Sequence, residues 1–144
     1  MKILAVDWGW VRIGLAVSDD LGLTAQGLGT FPRVSEAQVL DVIATRVHAL
    51  GVEVIVVGLP RNMDGTDGPS ADAARAFAQA LRDRFGLPVH LWDERLTTRA
   101  AERMLVDAGV RRRARRDRVD QVAATLILQG FLDRQRAAAE REVP

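Results

Sequence analysis

The sequence of 144 residues contains no cysteine, no tyrosine and two histidines. The absence of cysteine excludes disulfides, thiol nucleophiles and cysteine-ligated zinc, and it agrees with a reducing cytoplasm. His48 and His90 are too few for a metal site built from histidine. A metal site in this chain would therefore have to consist mainly of carboxylates.

Long apolar runs are also missing. No stretch approaches the roughly 20 apolar residues that span a bilayer, and the apolar run after Met1 ends at Asp7, too early for a signal peptide. We therefore expect a cytoplasmic protein with no membrane partner. With 48% hydrophobic and 27% charged residues, the chain is long enough for one domain with a core. We assign this domain to residues 1–133 and expect residues 134–144 to form a fraying tail.

Lysine is almost absent, since Lys2 is the only one, and the positive charge is unevenly distributed. Residues 1–94 carry a net charge of −4, residues 95–118 carry +6, and residues 119–144 carry −1. A basic block beside an acidic remainder attracts polyanions such as nucleic acid, because bound phosphates release their counterions. The alternative is a solvated loop in an arginine-favouring protein.

Apolar patterning predicts five strands and several helices in the order βββαβαβα, with one further helix. The predicted strands are residues 3–6, 12–18, 23–31, 54–57 and 89–92; the predicted helices are 35–50, 69–85, 97–108 and one after the arginine-rich run 111–118. Tight turns make strands 1–3 antiparallel, and right-handed crossovers make strands 1, 4 and 5 parallel. The fold class is therefore α/β, a five-stranded mixed sheet flanked by helices.

Carboxylates follow two of the parallel strands. Asp7 follows strand 1 and Glu94 follows strand 5, so both belong to the edge formed by the carboxyl ends of those strands. Asp120 lies on the inner stripe of the last helix. Three converging carboxylates repel one another unless they share a divalent cation, and oxygen ligands select Mg²⁺ or Mn²⁺. Such a site suits metal-assisted hydrolysis of phosphodiesters.

Each of these acids also has a structural interpretation. Asp7 suits a turn before Gly9, Asp120 suits the N-terminal part of a helix, and Glu94 suits an ion pair with Arg95 or Arg99. The three positions in this strand order favour a site over three separate structural roles.

Four motifs follow one another along the chain. They run from Asp7 to Gly14, from Val57 to Pro69, from Asp93 to Thr98 and from Val119 to Gln129. In this order they resemble the YqgF/RuvX family over about residues 1–133. These bacterial proteins have the RNase H-like fold and are described as Holliday junction resolvases and as nucleases that mature the 5′ end of pre-16S rRNA.

The resemblance implies a metal-dependent endonuclease acting on structured nucleic acid, with four-way DNA junctions and precursor rRNA both open. It implies Mg²⁺ or Mn²⁺ at Asp7, Glu94 and Asp120. Asp117, three residues before Asp120, is a candidate auxiliary ligand, and Asp93 takes the place of Glu94 if Glu94 points away. Expected nucleic-acid contacts are Arg12, Arg95, Arg112, Arg113, Arg115, Arg116 and Asn62. Structural ion pairing is the alternative for Arg12 and Arg95.

The chain departs from the family pattern at Trp8, Trp10 and Val11, where relatives carry a small or aliphatic residue, Thr and Lys. The two tryptophans either stack on an unpaired base or pack against the fold.

Symmetrical cutting of a two-fold junction favours a homodimer. Two other classes of function compete with the nuclease. A non-catalytic nucleic-acid-binding factor in transcription or ribosome assembly has no need for three convergent acids. An actin-like ATPase needs two domains, for which 144 residues are too few.

Overall fold

A computed structural model describes residues 1–62, 64–94 and 112–142, with side chains from 123 to 141 in the last range. Its strands are β1 Lys2–Asp7, β2 Arg12–Ser18, β3 Ala25–Pro32, β4 Val52–Leu59 and β5 Val89–Asp93. Its helices are α1 Glu36–Leu50, α2 Pro69–Phe85 and α3 Arg112–Glu142.

The strands form one mixed sheet in the order β3-β2-β1-β4-β5. β1 pairs antiparallel with β2 and parallel with β4, while β2 pairs antiparallel with β3 and β4 pairs parallel with β5. The predicted mixed sheet, with strands 1, 4 and 5 parallel, is therefore confirmed.

Strand alternation divides the interior into two cores, one on each face of the sheet. Leu4, Val6 and Val57 face a core that also contains buried residues of α1 and α2. Ile3 and Ala5 face the opposite core, which α3 covers. Because both faces are covered, β4 is apolar along almost its whole length rather than alternating.

The helix ends follow local chemistry. Ser35 caps α1, accepting a hydrogen bond from the backbone N–H of Gln38, as the predicted capping box requires. The Gln38 side chain, however, accepts from the N–H of Val34, one residue earlier than the standard box. Gly51 and Gly86 end α1 and α2 in the left-handed conformation, which glycine adopts without steric cost.

Most strand boundaries differ from the expected ones by one or two residues, and two of the differences are informative. β3 runs to Pro32, an exposed residue of an edge strand, where proline is tolerated. β4 extends through Gly58 to Leu59, two residues beyond Val57, where the apolar run predicts its end. The extension matters because Gly58 then lies inside the sheet rather than in the loop.

The arginine-rich run was expected to precede the last helix, yet α3 already begins at Arg112. Arginine and alanine are good helix formers, which explains the longer helix. The helix continues to Glu142 with residues 133–141 exposed, and fraying of this end stays a prediction. The helix expected at 97–108 lies outside the described residues. None of the described helices has the length and apolar character needed to cross a membrane.

Candidate active site

Asp7 and Glu94 lie at the same edge and on the same face of the sheet. Val6 of β1 pairs with Val57 of β4, so Gly58 is the β4 residue beside Asp7. Alternation from Ile3 and Ala5 places Asp7 on the face that α3 covers. Trp92 belongs to the same face, and alternation from it places Glu94 there as well.

The Glu94 carboxylate lies across Gly58. A Cβ atom added to Gly58 would be 2.5 Å from Glu94 Oε1 and 2.7 Å from Ile127 Cδ1, so any side chain there would displace one or both. The Glu94 backbone N–H donates to the carbonyl of Leu59 at 3.1 Å, which fixes the chain just after β5. Glycine at position 58 therefore provides the space that the carboxylate fills.

A second glycine lies on the other side of Asp7. Gly14 of β2 pairs with Asp7 and is buried. Asp7 is thus flanked by glycine in both neighbouring strands. Neither neighbouring strand therefore has a side chain of its own directly beside Asp7.

Burial of the Glu94 carboxylate costs free energy that other interactions must offset. The exposed fraction of Glu94 is 7%, and a buried carboxylate costs several kcal/mol unless a cation or hydrogen-bond donors offset the lost hydration. Asp7 is half-buried, and both residues interact with neighbouring groups. The strands β1 and β5 are separated by β4, about 10 Å apart, but the Glu94 carboxylate lies over Gly58, the β4 residue beside Asp7.

The donor set fits a hard divalent cation, because both side chains offer carboxylate oxygen. Among the side chains that the structure describes, no three His, Asp or Glu residues form a metal-binding group. Further ligands would come from Asp120 or Asp117, whose side chains lie outside the described residues. Position 120 is in α3, seven residues before Ile127, so helical periodicity puts both on the same side of the helix.

Asp93 has a different environment from Glu94. Its carboxylate lies 3.8 Å from the guanidinium of Arg61, which also pairs with Asp67 at 3.0 Å. Arg75 reaches the same Asp67 carboxylate at 3.1 Å. This arrangement favours Glu94 over Asp93 as the acid of the site.

The loop after β4 is organised by its own polar side chains. The Asn62 amide donates to Thr66 Oγ1 at 3.0 Å, and Asp64 Oδ1 accepts from the Thr66 backbone N–H at 2.9 Å. Asn62 is exposed near the same edge of the sheet. Its expected contact with nucleic acid stays a prediction.

The expected arginine contacts are described only in part. Arg12 is the first residue of β2, pairs with Pro32, is half-buried and interacts with neighbouring groups. Arg95 lies outside the described residues. Arg112, Arg113, Arg115 and Arg116 are in the first turns of α3, and their side chains lie outside the description.

The two tryptophans have different environments. Trp8 belongs to the core shared with α1 and α2, whereas Trp10 is 54% exposed. Their rings meet edge to face with centroids 4.8 Å apart. Packing therefore accounts for Trp8 but leaves the exposed ring of Trp10 unexplained.

Sequence reasoning missed Gly58 and Arg33. A glycine inside a run of β-branched residues is a signal of close approach by another group, and it marks Gly58. No comparable signal marks Arg33, because its contacts with Trp8 and Trp10 depend on the folded chain.

Comparison with known proteins gives concordant results. Residues 1–134 match the family described as "RuvX: Holliday junction resolvase". A protein of Moorella thermoacetica named "Putative pre-16S rRNA nuclease" is 56% identical over 134 residues, covering 93% of this chain and 96% of the relative. A Geobacillus kaustophilus protein of the same name is 51% identical, with 94% and 100% covered.

Two solved structures share the fold. RuvC from T. thermophilus, in complex with a Holliday junction substrate, superposes with a TM-score of 0.60 at 17% identity, covering 94% of this chain and 96% of RuvC. Fowlpox virus resolvase, in complex with Holliday junction DNA, gives 0.55 at 12% identity, covering 94% and 99%. The expected RNase H-like fold is thereby confirmed.

Proposed function

The chain belongs to the RuvX family of Holliday junction resolvases, and from that membership we propose that it is a divalent-metal-dependent endonuclease acting on structured nucleic acid. The observation that carries the proposal is the buried Glu94 carboxylate, seated over Gly58 on the same face and edge as Asp7. A buried acid of this kind has no structural benefit unless a cation or donors compensate it.

Asp7 and Glu94, together with Asp120, would hold Mg²⁺ or Mn²⁺. When bound, the metal activates a water nucleophile and stabilises the departing oxygen of the phosphodiester. Glu94 is kept in one orientation by Ile127 and by the backbone contact to Leu59. Arg12, at the start of β2, is placed to hold a substrate phosphate, since a guanidinium binds phosphate oxygens in pairs.

Two substrates agree with the comparisons, a four-way DNA junction from the family description and precursor 16S rRNA from the names of the relatives. The basic first turns of α3 would contact the nucleic-acid backbone without reading its sequence. Symmetrical junction cleavage would require a homodimer. The protein would act in the cytoplasm, where both substrates are found.

The decisive experiment compares cleavage of a four-way junction, a splayed duplex and a pre-16S rRNA leader, each with Mg²⁺ and with Mn²⁺. We expect metal-dependent cutting of at least one substrate and none after Asp7→Asn, with binding largely retained. Asp41→Asn is the matched control, because Asp41 is an exposed acid of α1 paired with Arg84.

The result also decides between the nuclease and a non-catalytic binding factor. Tight binding of all substrates with no cleavage under either metal, and no effect of Asp7→Asn, would exclude the nuclease and support the factor.

A further inference from the structure

A cavity opens on the opposite face of the sheet from Asp7, between α1, α2 and the β1–β2 turn. Its volume is about 230 Å³. Trp8, Trp10, Arg33, Glu36, Ala76 and Phe77 are among its lining residues. The cavity therefore combines aromatic walls with one cation and one anion, and nothing in the nuclease chemistry uses it.

Trp10 is exposed but held rigidly. Its indole N–H donates to Ser70 Oγ at 2.9 Å, which ties it to the first turn of α2. Its carbonyl accepts from Arg33 Nε at 3.1 Å. The Arg33 guanidinium in turn lies 5.1 Å from the centre of the Trp8 ring and 5.6 Å from that of Trp10. An exposed aromatic ring held by two contacts, on a backbone held by a third, is preorganised for binding, because little conformational entropy is left to lose.

The cavity selects its occupant by size and charge. Pockets for drug-sized ligands measure about 300–1,000 Å³, so this smaller volume suits a single planar ring system. Arg33 disfavours a cationic ligand, while Trp10 offers a face for stacking. Glu36 offers acceptor oxygens, which match the amino groups of adenine, guanine and cytosine but not thymine or uracil.

We propose that this cavity receives one unpaired nucleobase of the nucleic-acid substrate, stacked on Trp10 and held by Arg33 and Glu36. The proposal rests on the proposed nuclease function. Asp7 is the last residue of β1 and Trp8 follows it directly, so the cavity and the proposed metal site share one edge of the sheet, and one nucleic-acid strand crossing that edge would reach both. The base captured here therefore belongs to a nucleotide near the phosphate that is cut.

The test uses the whole chain carrying Asp7→Asn, so that the substrate stays intact. A splayed duplex is prepared with each unpaired nucleotide near the branch replaced in turn by an abasic site. We expect one abasic position to weaken binding about 5- to 100-fold, the effect of losing one base stacked on an aromatic ring. Trp10→Ala should weaken binding of the intact duplex by a similar factor. It should not further weaken binding of the duplex that is abasic at the sensitive position.

Three further variants make the result specific. Trp10→Phe should retain part of the affinity, because it keeps an aromatic face. Glu36→Gln should reduce the preference for a base with an amino group over thymine or uracil at the sensitive position. Leu21→Ala should change nothing, because Leu21 is 79% exposed in the β2–β3 turn at the opposite edge. Thermal melting of each variant checks that it is folded.

Two results would overturn the proposal. One is that Trp10→Ala weakens the intact and abasic duplexes equally, or neither of them. The other is that free GMP, the probe for a mononucleotide site, binds as tightly as the duplex and loses affinity with Trp10→Ala. If the unsubstituted chain still cleaves nucleic acid in either case, the nuclease proposal stands and the base-capture proposal falls. If the chain neither binds nor cuts nucleic acid, both proposals fall.

Discussion

Glu94 Oε1 lies 2.5 Å from the point where residue 58 would carry its Cβ. The carboxylate thus occupies volume that exists because the neighbouring strand has no side chain there. Ile127 Cδ1 approaches the same point to 2.7 Å from the helix side. A glycine of β4 and an isoleucine of α3 therefore border the volume that a candidate catalytic acid occupies.

Gly58→Ala should reduce cleavage strongly while leaving the protein folded. The methyl group must displace the Glu94 carboxylate or Ile127, and a misplacement of about 1 Å in a catalytic group costs on the order of 10²-fold in rate. The measurement is kcat on the best substrate, alongside the midpoint of thermal unfolding.

The double variant Gly58→Ala with Ile127→Val separates the two contacts. Removing Cδ1 should recover part of the stability, because overpacking is relieved, but should not recover kcat. Full recovery of kcat would show that the helix contact, and not the displacement of Glu94, had caused the defect.

Glu94→Gln should remove the stabilisation that Mn²⁺ gives to the folded protein. A ligand that binds the folded state alone raises its stability by about 2.7 kcal/mol at 100 times its Kd, and this increment should shrink when a charged ligand is lost. Without metal, the same comparison reports separately on the interactions that Glu94 makes with its neighbours in the fold. Thermal unfolding with and without Mn²⁺ measures both effects.

The matched control for this experiment is Glu53→Gln, an exposed glutamate of β4. It should leave the Mn²⁺ effect unchanged. An equal Mn²⁺ effect in Glu94→Gln and its parent would remove Glu94 from the metal site.

Neutralising Arg112, Arg113, Arg115 and Arg116 to Gln should weaken binding of all nucleic-acid substrates and flatten its salt dependence. Each lost phosphate contact lowers the slope of log Kobs against log[salt] by about 0.9 for duplex DNA. Replacing Arg134 and Arg141 at the exposed end of the same helix is the control and should have a smaller effect per charge. An unchanged slope in the fourfold variant would exclude the basic turns from the substrate path.

Gln129→Leu should detach the edge strand from α3. The Gln129 side chain accepts from the backbone N–H of Ala25 at 3.2 Å and donates to the carbonyl of Leu23 at 3.1 Å. Losing these bonds should lower the free energy of unfolding by about 1–3 kcal/mol. Gln79→Leu is the control, because Gln79 donates to Asp83 at 3.0 Å four residues later in α2.

The same substitution should raise the pKa of Asp133. Hydrogen bonds from Gln129 and then Arg136 hold the pKa of this carboxyl below its usual value of 3.8. A lowered folded-state pKa stabilises the protein above the unfolded value, and this contribution is lost as the pH falls through the folded value. Titration of the Asp133 side chain by NMR should show a higher pKa in Gln129→Leu and no change in Gln79→Leu.

Strand order and the edge shared by Asp7 and Glu94 could be predicted from the sequence, because apolar runs and crossover rules determine them. The position of the Glu94 carboxylate over Gly58 could not be predicted in this way. It depends on register between strands that are distant in sequence, which places Gly58 rather than a larger residue beneath it. Periodicity alone assigns position 120 to a face of the last helix, but it does not give the distance between that position and Glu94.

The contacts that hold the Trp10 ring could not be predicted from the sequence, for a similar reason. Its bond to Ser70 joins residues 60 positions apart, and its contact with Arg33 joins the β1–β2 turn to the segment after β3. The departure from the family at Trp10 indicated an unusual side chain there. Local patterning carries no information on the partners that fix its ring.

The hydrogen-bonded ladder between β1 and β4 has one more consequence. Neighbouring side chains of a strand point to opposite faces of the sheet. A shift of β1 by one residue against β4 would therefore turn the Trp8 indole towards α3 and the Asp7 carboxylate towards the core shared with α1 and α2. The register of β1 thus sets both the face of the proposed metal site and the face of the proposed base cavity. Insertions are tolerable in the surrounding turns, but within β1 one added or missing residue would disable both at once.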